Sequence, residues 1–226
     1  MVHVLFDIDE TMLSLPKGIN AKTSSVMFKK VFGVDANEEM IENIGKTEVG
    51  IIQEVLEKVG VSQRVTEEAY KVWAQATEQE MKDHPARVLP GIPELLTALS
   101  KNPRIKLELL SGNSVWRAEA KLKSVHLDTF FRDPDTRQLN GVFGNMASTR
   151  EQLFDIIKKQ VIGGDKLVII DDSLMGARAA QSYNLPMVMV ATGKATEEQL
   201  QAFTPYVFSD FGENRWQEAV SLIETM

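Results

Sequence analysis

Asp7 and Asp9 stand one residue apart, with Thr11 two positions further on, directly after the apolar run Val2 to Phe6. Carboxylates this close repel one another, an arrangement that is costly unless a cation or a shared proton relieves it. A hard divalent cation that takes oxygen ligands, magnesium above all, is the obvious reliever. A second acidic cluster, Asp171-Asp172-Ser173, follows the run Lys166 to Ile170, and a polar trio, Ser111-Gly112-Asn113, follows Lys106 to Leu110. A hydroxyl beside backbone N–H groups suits a phosphate oxygen. A metal between carboxylates and a phosphate, beside an oxygen nucleophile, describes phosphoryl transfer.

For these loops to meet, the runs before them must be neighbouring strands. Each reads as a buried parallel strand whose polar residues begin where it leaves the sheet. Open α/β sheets place their chemistry at the carboxyl ends of strands. From residue 89 onward strands and helices alternate: a helix over Glu94 to Ser100, a helix from Ser114 to Ser124, and a helix carrying Leu153, Ile156 and Ile157 capped by Ser148 or Thr149. Further on come a small-residue helix after Ser173, a strand over Pro186 to Val190, a capping box at Thr196 and Gln199, an edge strand at Tyr206 to Phe208, and a closing helix from Trp216 to Ile223. Residues 127 to 147 read as irregular, with a short strand at Val142-Phe143. This alternation predicts an α/β fold, a doubly wound Rossmann-like parallel sheet.

Residues 19 to 84 carry no strand pattern. One helix stops at Gly33, a short one spans Glu38 to Ile44, one capped by Thr47 carries Ile51, Ile52, Val55 and Leu56, and one opening at Thr66 runs toward Pro85. The expectation is an all-helical cap domain over 16–87, inserted into a core built from 1–15 and 88–226.

Composition narrows the function. The chain has 226 residues, 43% hydrophobic and free of cysteine, which removes disulfides, thiol catalysis and cysteine-bound metal. A net charge of −7 argues against a non-specific nucleic-acid binder, while local cations in a cleft still admit an anionic small substrate. The apolar runs are too short to span a bilayer, and no basic-then-apolar leader is seen, so the expected location is cytoplasmic.

The motifs and their order resemble the haloacid dehalogenase (HAD) superfamily, in its phosphoglycolate-phosphatase-like branch. Asp7-Ile8-Asp9-Glu10-Thr11 is similar to the first motif, Leu110-Ser111-Gly112-Asn113 to the second, and Ile170-Asp171-Asp172-Ser173 to the fourth. Leu89-Pro90-Gly91, Gly141-Val142-Phe143-Gly144 and Val190-Ala191-Thr192-Gly193 also look like family segments. The resemblance implies Asp7 as a nucleophile forming an aspartyl-phosphate, and Asp9 as the acid that protonates the leaving oxygen and later activates water. It implies Mg2+ held by Asp7, the Asp9 backbone carbonyl and Asp172. Ser111 would bind the transferring phosphoryl group with the Ile8 and Gly112 N–H groups, and Thr11 and Asn113 would line the substrate site. Arg150 matches the basic third motif, with Lys166 as rival.

Two positions depart from the pattern. Asp171 stands where glycine is frequent and Gly176 where a further acid is frequent, so Asp171 would replace that acid as a direct or outer metal ligand. Glu10 also stands where glycine is common. Within the cap, Ile44-Gly45-Lys46-Thr47-Glu48 is similar to the loop that faces the active site, which makes Lys46 a candidate for an anionic substrate group. Lys17 and Lys22 are further cations in the linker. The three histidines have no metal-pair spacing, and Trp73, Trp116, Met187 and Met189 read as packing. The expected partner is a small phosphorylated metabolite, without nucleic acid or membrane, for a monomer or homodimer. A β-phosphoglucomutase-like mutase and a weakly catalytic phospho-ligand or protein-binding module are the alternatives.

Overall fold

The computed structural model describes residues 1–160 and 164–226. In chain order it comprises β1 (Val2–Phe6), β2 (Leu13–Ser14), α1 (Ile19–Met27), α2 (Glu48–Lys58), α3 (Glu67–Asp83), β3 (Arg87–Val88), α4 (Ile92–Ser100) and β4 (Ile105–Ser111). There follow α5 (Val115–Ser124), β5 (Gly141–Phe143), α6 (Arg150–Gln160), β6 (Lys166–Asp171), α7 (Leu174–Ser182), β7 (Met187–Val190), α8 (Glu197–Gln201), β8 (Val207–Phe208) and α9 (Arg215–Thr225).

Six strands form one parallel sheet in the order β5-β4-β1-β6-β7-β8. β1 is central: Val4 pairs with Leu107 of β4 on one side and Val168 of β6 on the other. The two-residue period of a strand sorts its side chains between two faces. Val4 and Phe6 of β1, Leu107 and Leu109 of β4, and Val168 and Ile170 of β6 enter the core packed under α4, α5 and α9. Leu5, Leu110, Leu167 and Ile169 enter the opposite core, under α6, α7 and α8. Each such buried aliphatic or aromatic side chain contributes roughly 1.5–3 kcal/mol, so both faces fix the register that sets where Asp7, Ser111 and Asp171 emerge.

The helical segment has its own core, in which Phe28, Ile52, Val55 and Trp73 are closed from solvent. The chain enters and leaves it through the antiparallel ribbon β2–β3, where Leu13 faces Val88 and Ser14 faces Arg87. The sequence pattern does not reveal this ribbon, because two residues are too few to show a period. The helix expected over Glu38 to Ile44 shortens to a 3-10 turn, Glu38–Met40, opened by the Asn37 side chain. The helix before Gly33 ends in a π turn, Phe28–Phe32. Thr66 precedes α3 without a side-chain capping bond. Thr149 rather than Ser148 caps α6: its hydroxyl accepts from Gln152 N, while the Gln152 side chain accepts from both preceding amides. Among the described residues no helix is long and apolar enough to cross a membrane.

Candidate active site

Asp7 follows the last residue of β1, and its amide still donates to the Ile170 carbonyl at 2.9 Å, which extends the ladder by one rung. Its neighbours across the sheet edge are Ser111 and Asp171, the last residues of β4 and β6. Asp7, Asp171 and Asp172 each offer a carboxylate oxygen within 4.8 Å of the other two. Burial pushes the Asp7 carboxyl up to about 7, Asp171 and Asp9 add to the rise, and the Arg150 guanidinium opposes it. Burial, with the charges of Asp171 and Asp7, likewise drives Asp172 well above the ordinary carboxylate range.

Three carboxylates this close, whose repulsion Arg150 offsets only in part, fit a hard divalent cation. Their shares differ. Asp171 is fully buried, and its oxygens are already spoken for. Oδ1 accepts from Ser173 N at 2.8 Å and Ser173 Oγ at 2.7 Å, and Oδ2 accepts from Arg150 Nη2. Of the two roles left open by sequence, the outer one suits these bonds. The departure from the usual pattern has a steric reason: a Cβ at Gly176 would collide with the Asp171 carboxylate. The acid at 171 occupies the volume that a side chain at 176 would need. Gly193 makes the same room for the carboxylate of Asp172.

Thr11, expected to line the substrate site, lies behind the carboxylates. It is fully buried, and its hydroxyl donates to Asp172 Oδ1 at 2.9 Å, so it positions that carboxylate. Ser111 is also buried. Its oxygen accepts from Asn113 N at 3.3 Å and Asn113 Nδ2 at 2.9 Å, and its proton has no acceptor among the described residues. Arg150, at the start of α6, brings Nη1 to 3.6 Å from Asp7 Oδ1, and its Nε is buried without an acceptor among the described residues. Lys166 lies at the opposite end of the sheet, where Nζ bonds the Met226 carbonyl.

Asp9 is in a different environment, two residues from Asp7. Lys121 Nζ donates to its Oδ1 at 2.7 Å and its Oδ2 at 2.6 Å, and Asn113 Nδ2 reaches Oδ2 at 2.8 Å. Burial pushes the Asp9 carboxyl up, but the charges of Lys121 and Arg117 and the bonds from Lys121 and Asn113 outweigh it, holding the group below its ordinary range. The side chain of Asp9 is thus held by Lys121 and Asn113, apart from the Asp7, Asp171 and Asp172 cluster.

Sequence reading missed Lys121 and Arg117. Both are on α5, one turn apart and buried. Like charges at this spacing repel, and each is offset by an acid: Lys121 by Asp9, and Arg117 by Glu48 at 2.9 Å. Arg117 also donates from Nε to Thr77 at 3.1 Å, bonds Asn20, and lies 4.2 Å from the centre of the Trp73 ring. One core arginine thus ties α1, α2 and α3 to the sheet domain. A signal existed: residues 117 and 121 flank Ala118 and Leu122, the apolar positions of the same helix.

The helical segment touches the loops beside the site. Glu48 N donates to the Gly112 carbonyl at 2.8 Å, Val49 N to that of Gly144 at 3.1 Å, and a Cβ on Gly112 would strike the Lys46 carbonyl. A cavity of about 410 Å3 is lined by Asp7, Asp9, Asn113, Arg150 and Asp172 from the sheet side and by Lys46 from the helical segment. Lys46 Nζ is held by Glu54 at 2.5 Å. Glu10 has a left-handed backbone, φ 57°, which explains why glycine suits that position.

The arrangement has relatives. A family model described as haloacid dehalogenase-like hydrolase matches residues 4–190. No curated protein matches the chain. Among solved structures, a hydrolase from Pseudomonas syringae is similar at 20% identity over 92% of this chain and 93% of that one, with a TM-score of 0.62. CbbY from Rhodobacter sphaeroides, in complex with phosphate, is similar at 16% identity over 93% and 95%, with a TM-score of 0.64. A variant of CbbY in complex with xylulose-(1,5)-bisphosphate gives 17% over the same shares and a TM-score of 0.65. At these identities the solved structures establish a shared fold, and the match across most of the sequence establishes the rest: the chain belongs to the haloacid dehalogenase-like hydrolase family.

Proposed function

We propose that the protein is a magnesium-dependent phosphatase acting on a small organic phosphomonoester, phosphoglycolate or a sugar phosphate, through an aspartyl-phosphate on Asp7. The observation that carries this reading is the division of Asp7 and Asp9, adjacent on one loop, between two opposite settings. Asp7 lies in a carboxylate cluster with the Arg150 guanidinium 3.6 Å away, and Asp9 is pinned by an ammonium. The phosphate and sugar-bisphosphate complexes of CbbY, a protein of the same fold, are consistent with it.

Asp7, Asp172 and the Asp9 carbonyl would hold the magnesium. Bound there, the ion supplies the charge that ionises Asp7 and Asp172 and neutralises phosphoryl oxygens. The residues do the rest. Asp7 attacks phosphorus in line, while Arg150 and the Ser111 hydroxyl donate to the equatorial oxygens as charge develops on them. The departing alkoxide needs a proton and the later hydrolytic water must lose one, which gives Asp9 both tasks. In the resting site Asp9 is ionised. A phosphomonoester monoanion, whose last proton leaves near pH 6, carries in the proton that Asp9 passes to the leaving oxygen.

The test is phosphate release from a panel of phosphomonoesters with magnesium, with chelator, and with Asp7→Asn. Magnesium-dependent release abolished by Asp7→Asn is expected. Isomerisation of a sugar phosphate without release would establish a mutase instead, and tight ligand binding without turnover a binding module.

A further inference from the structure

The helical segment contributes two buried acids, Glu38 and Glu48, to the lining of the cavity that also holds Asp7 and Arg150. Glu48 is buried. Its Oε1 accepts from Arg117 Nη1 at 2.9 Å, while Oε2 is buried with no donor among the described residues. Glu38, the first residue of the 3-10 turn, is buried beside it and lines the same space. Asn43 Nδ2 donates to its Oε1 at 2.8 Å, and no donor among the described residues reaches its Oε2. Burial pushes the Glu38 carboxyl up even though Arg117 and Lys121 pull the other way, so those cations do not satisfy it. They are committed elsewhere, to Glu48 and Asp9.

The cations that line the cavity do not change the character of this lining. Lys46 is tied to Glu54, and Lys17 and Lys194 are exposed at the mouth. A buried acceptor without a donor is costly in the empty site and is relieved when a ligand brings one. A ligand carboxylate would instead set a further anion beside Glu38 and beside a Glu48 oxygen that already lacks a partner.

Building on the phosphatase reading, we propose that Glu48 and Glu38 form a leaving-group subsite that selects alcohols bearing their own hydrogen-bond donors, hydroxyl or ammonium, and rejects alcohols bearing a carboxylate. Of the two substrate classes considered above, this favours sugar or amino-alcohol phosphates over phosphoglycolate. A site built to pair with a donor discriminates strongly against an analogue that lacks it.

The test is kcat/KM, with magnesium, for three esters that differ only at the end of a two-carbon arm: 2-hydroxyethyl phosphate, 2-aminoethyl phosphate and phosphoglycolate. Glucose 6-phosphate against 6-phosphogluconate repeats the comparison with a longer arm, and p-nitrophenyl phosphate serves as a generic ester. The donor-bearing member of at least one set is expected to exceed its carboxylate partner by about tenfold or more. Glu38→Gln is expected to raise KM for the preferred ester and shrink that ratio, most for the ammonium ester if that is the one preferred. Equal or better turnover of the carboxylate esters by the wild-type protein overturns the subsite and leaves the phosphatase reading intact. A Glu38→Gln loss that is uniform across all esters overturns Glu38's part in it. Failure to turn over any ester, p-nitrophenyl phosphate included, removes the phosphatase reading itself.

Discussion

Replacing Lys121 with methionine removes one ammonium and, with it, three short hydrogen bonds: two to the Asp9 carboxylate, at 2.7 and 2.6 Å, and one to Asn113 Oδ1 at 2.7 Å. Methionine fills a similar volume in an apolar shape, so the helix keeps its packing. The Asp9 side chain is 34% exposed, so water can solvate the carboxylate once the cation has gone. The expected stability loss is therefore modest, about 1–2 kcal/mol. The catalytic effect is larger and selective. A positioned general acid contributes roughly 10²–10⁴-fold, and Asn113 Nδ2 still holds one Asp9 oxygen at 2.8 Å. A loss near the lower bound, about 10²-fold, is expected for alkyl phosphates, whose alkoxide must be protonated as it leaves. p-Nitrophenyl phosphate, whose phenolate leaves without a proton, should lose only about a few-fold. The quantity to compare is kcat/KM, which stops at the first irreversible step, so Asp9's later work on water does not enter it. Equal losses for the two ester types, or no loss for either, would refute the claim that Lys121 acts through Asp9.

Three further outcomes follow from the same geometry. In chelator, the folded protein carries a proton on Asp7 up to about pH 7 that the unfolded chain loses near its ordinary value of 3.8. That contribution to stability is complete below the unfolded value and is lost as pH rises through about 7, so denaturant melts should weaken by about 2 kcal/mol between about pH 5.5 and pH 8 from Asp7 alone. Magnesium should restore more stability at the higher pH, and a chelated protein indifferent to pH would contradict the reading of the cluster. Arg150→Met leaves Asp171 buried beside Asp7 without its cation and should cost about 3–5 kcal/mol in urea unfolding. Adding Asp171→Asn should recover much of that stability but no phosphate release. Finally, Gly176→Ala should destabilise by about 1–3 kcal/mol through its clash with the Asp171 carboxylate. The double change Asp171→Gly with Gly176→Asp should behave far better than Gly176→Ala in both melting and turnover assays.

The sheet and the loops at its edge were legible because each buried strand declares itself twice, as a run of apolar residues and as the polar residues that end it. Asp7, Ser111 and Asp171 sit at three such endings. What escaped the sequence is the pairing between those groups and partners far along the chain. Thr11 has the chemistry of a phosphate contact, and its bond to Asp172, a residue 161 further on, is invisible to any local pattern. Lys121 sits among Arg117 and Lys123 on a helix where a lysine ordinarily faces water, and Asp9, 112 positions earlier, is what draws it inward. Glu38 and Glu48 read as ordinary first-turn acids, each suited to a helix N-terminus. Their burial is imposed by the cap lying on the sheet domain, which no local pattern encodes. The two-residue ribbon β2–β3 is hidden for a simpler reason, since it is shorter than one repeat of any detectable period.

The central place of β1 has a consequence for how the protein is made. Both of its edges are completed by strands from much later in the chain, Val4 by Leu107 and by Val168. At about 5–20 residues per second, a ribosome takes on the order of ten seconds or more to deliver the second of these. During that time the strand, with Val4, Leu5 and Phe6 destined for complete burial, has an apolar surface on each face and open hydrogen-bonding groups on each side. Such a segment is a template for unwanted pairing between chains. The first carboxylate of the site to be synthesised is therefore among the last to find its neighbours, and a chain halted before residue 171 can carry Asp7 without any of the chemistry assigned to it.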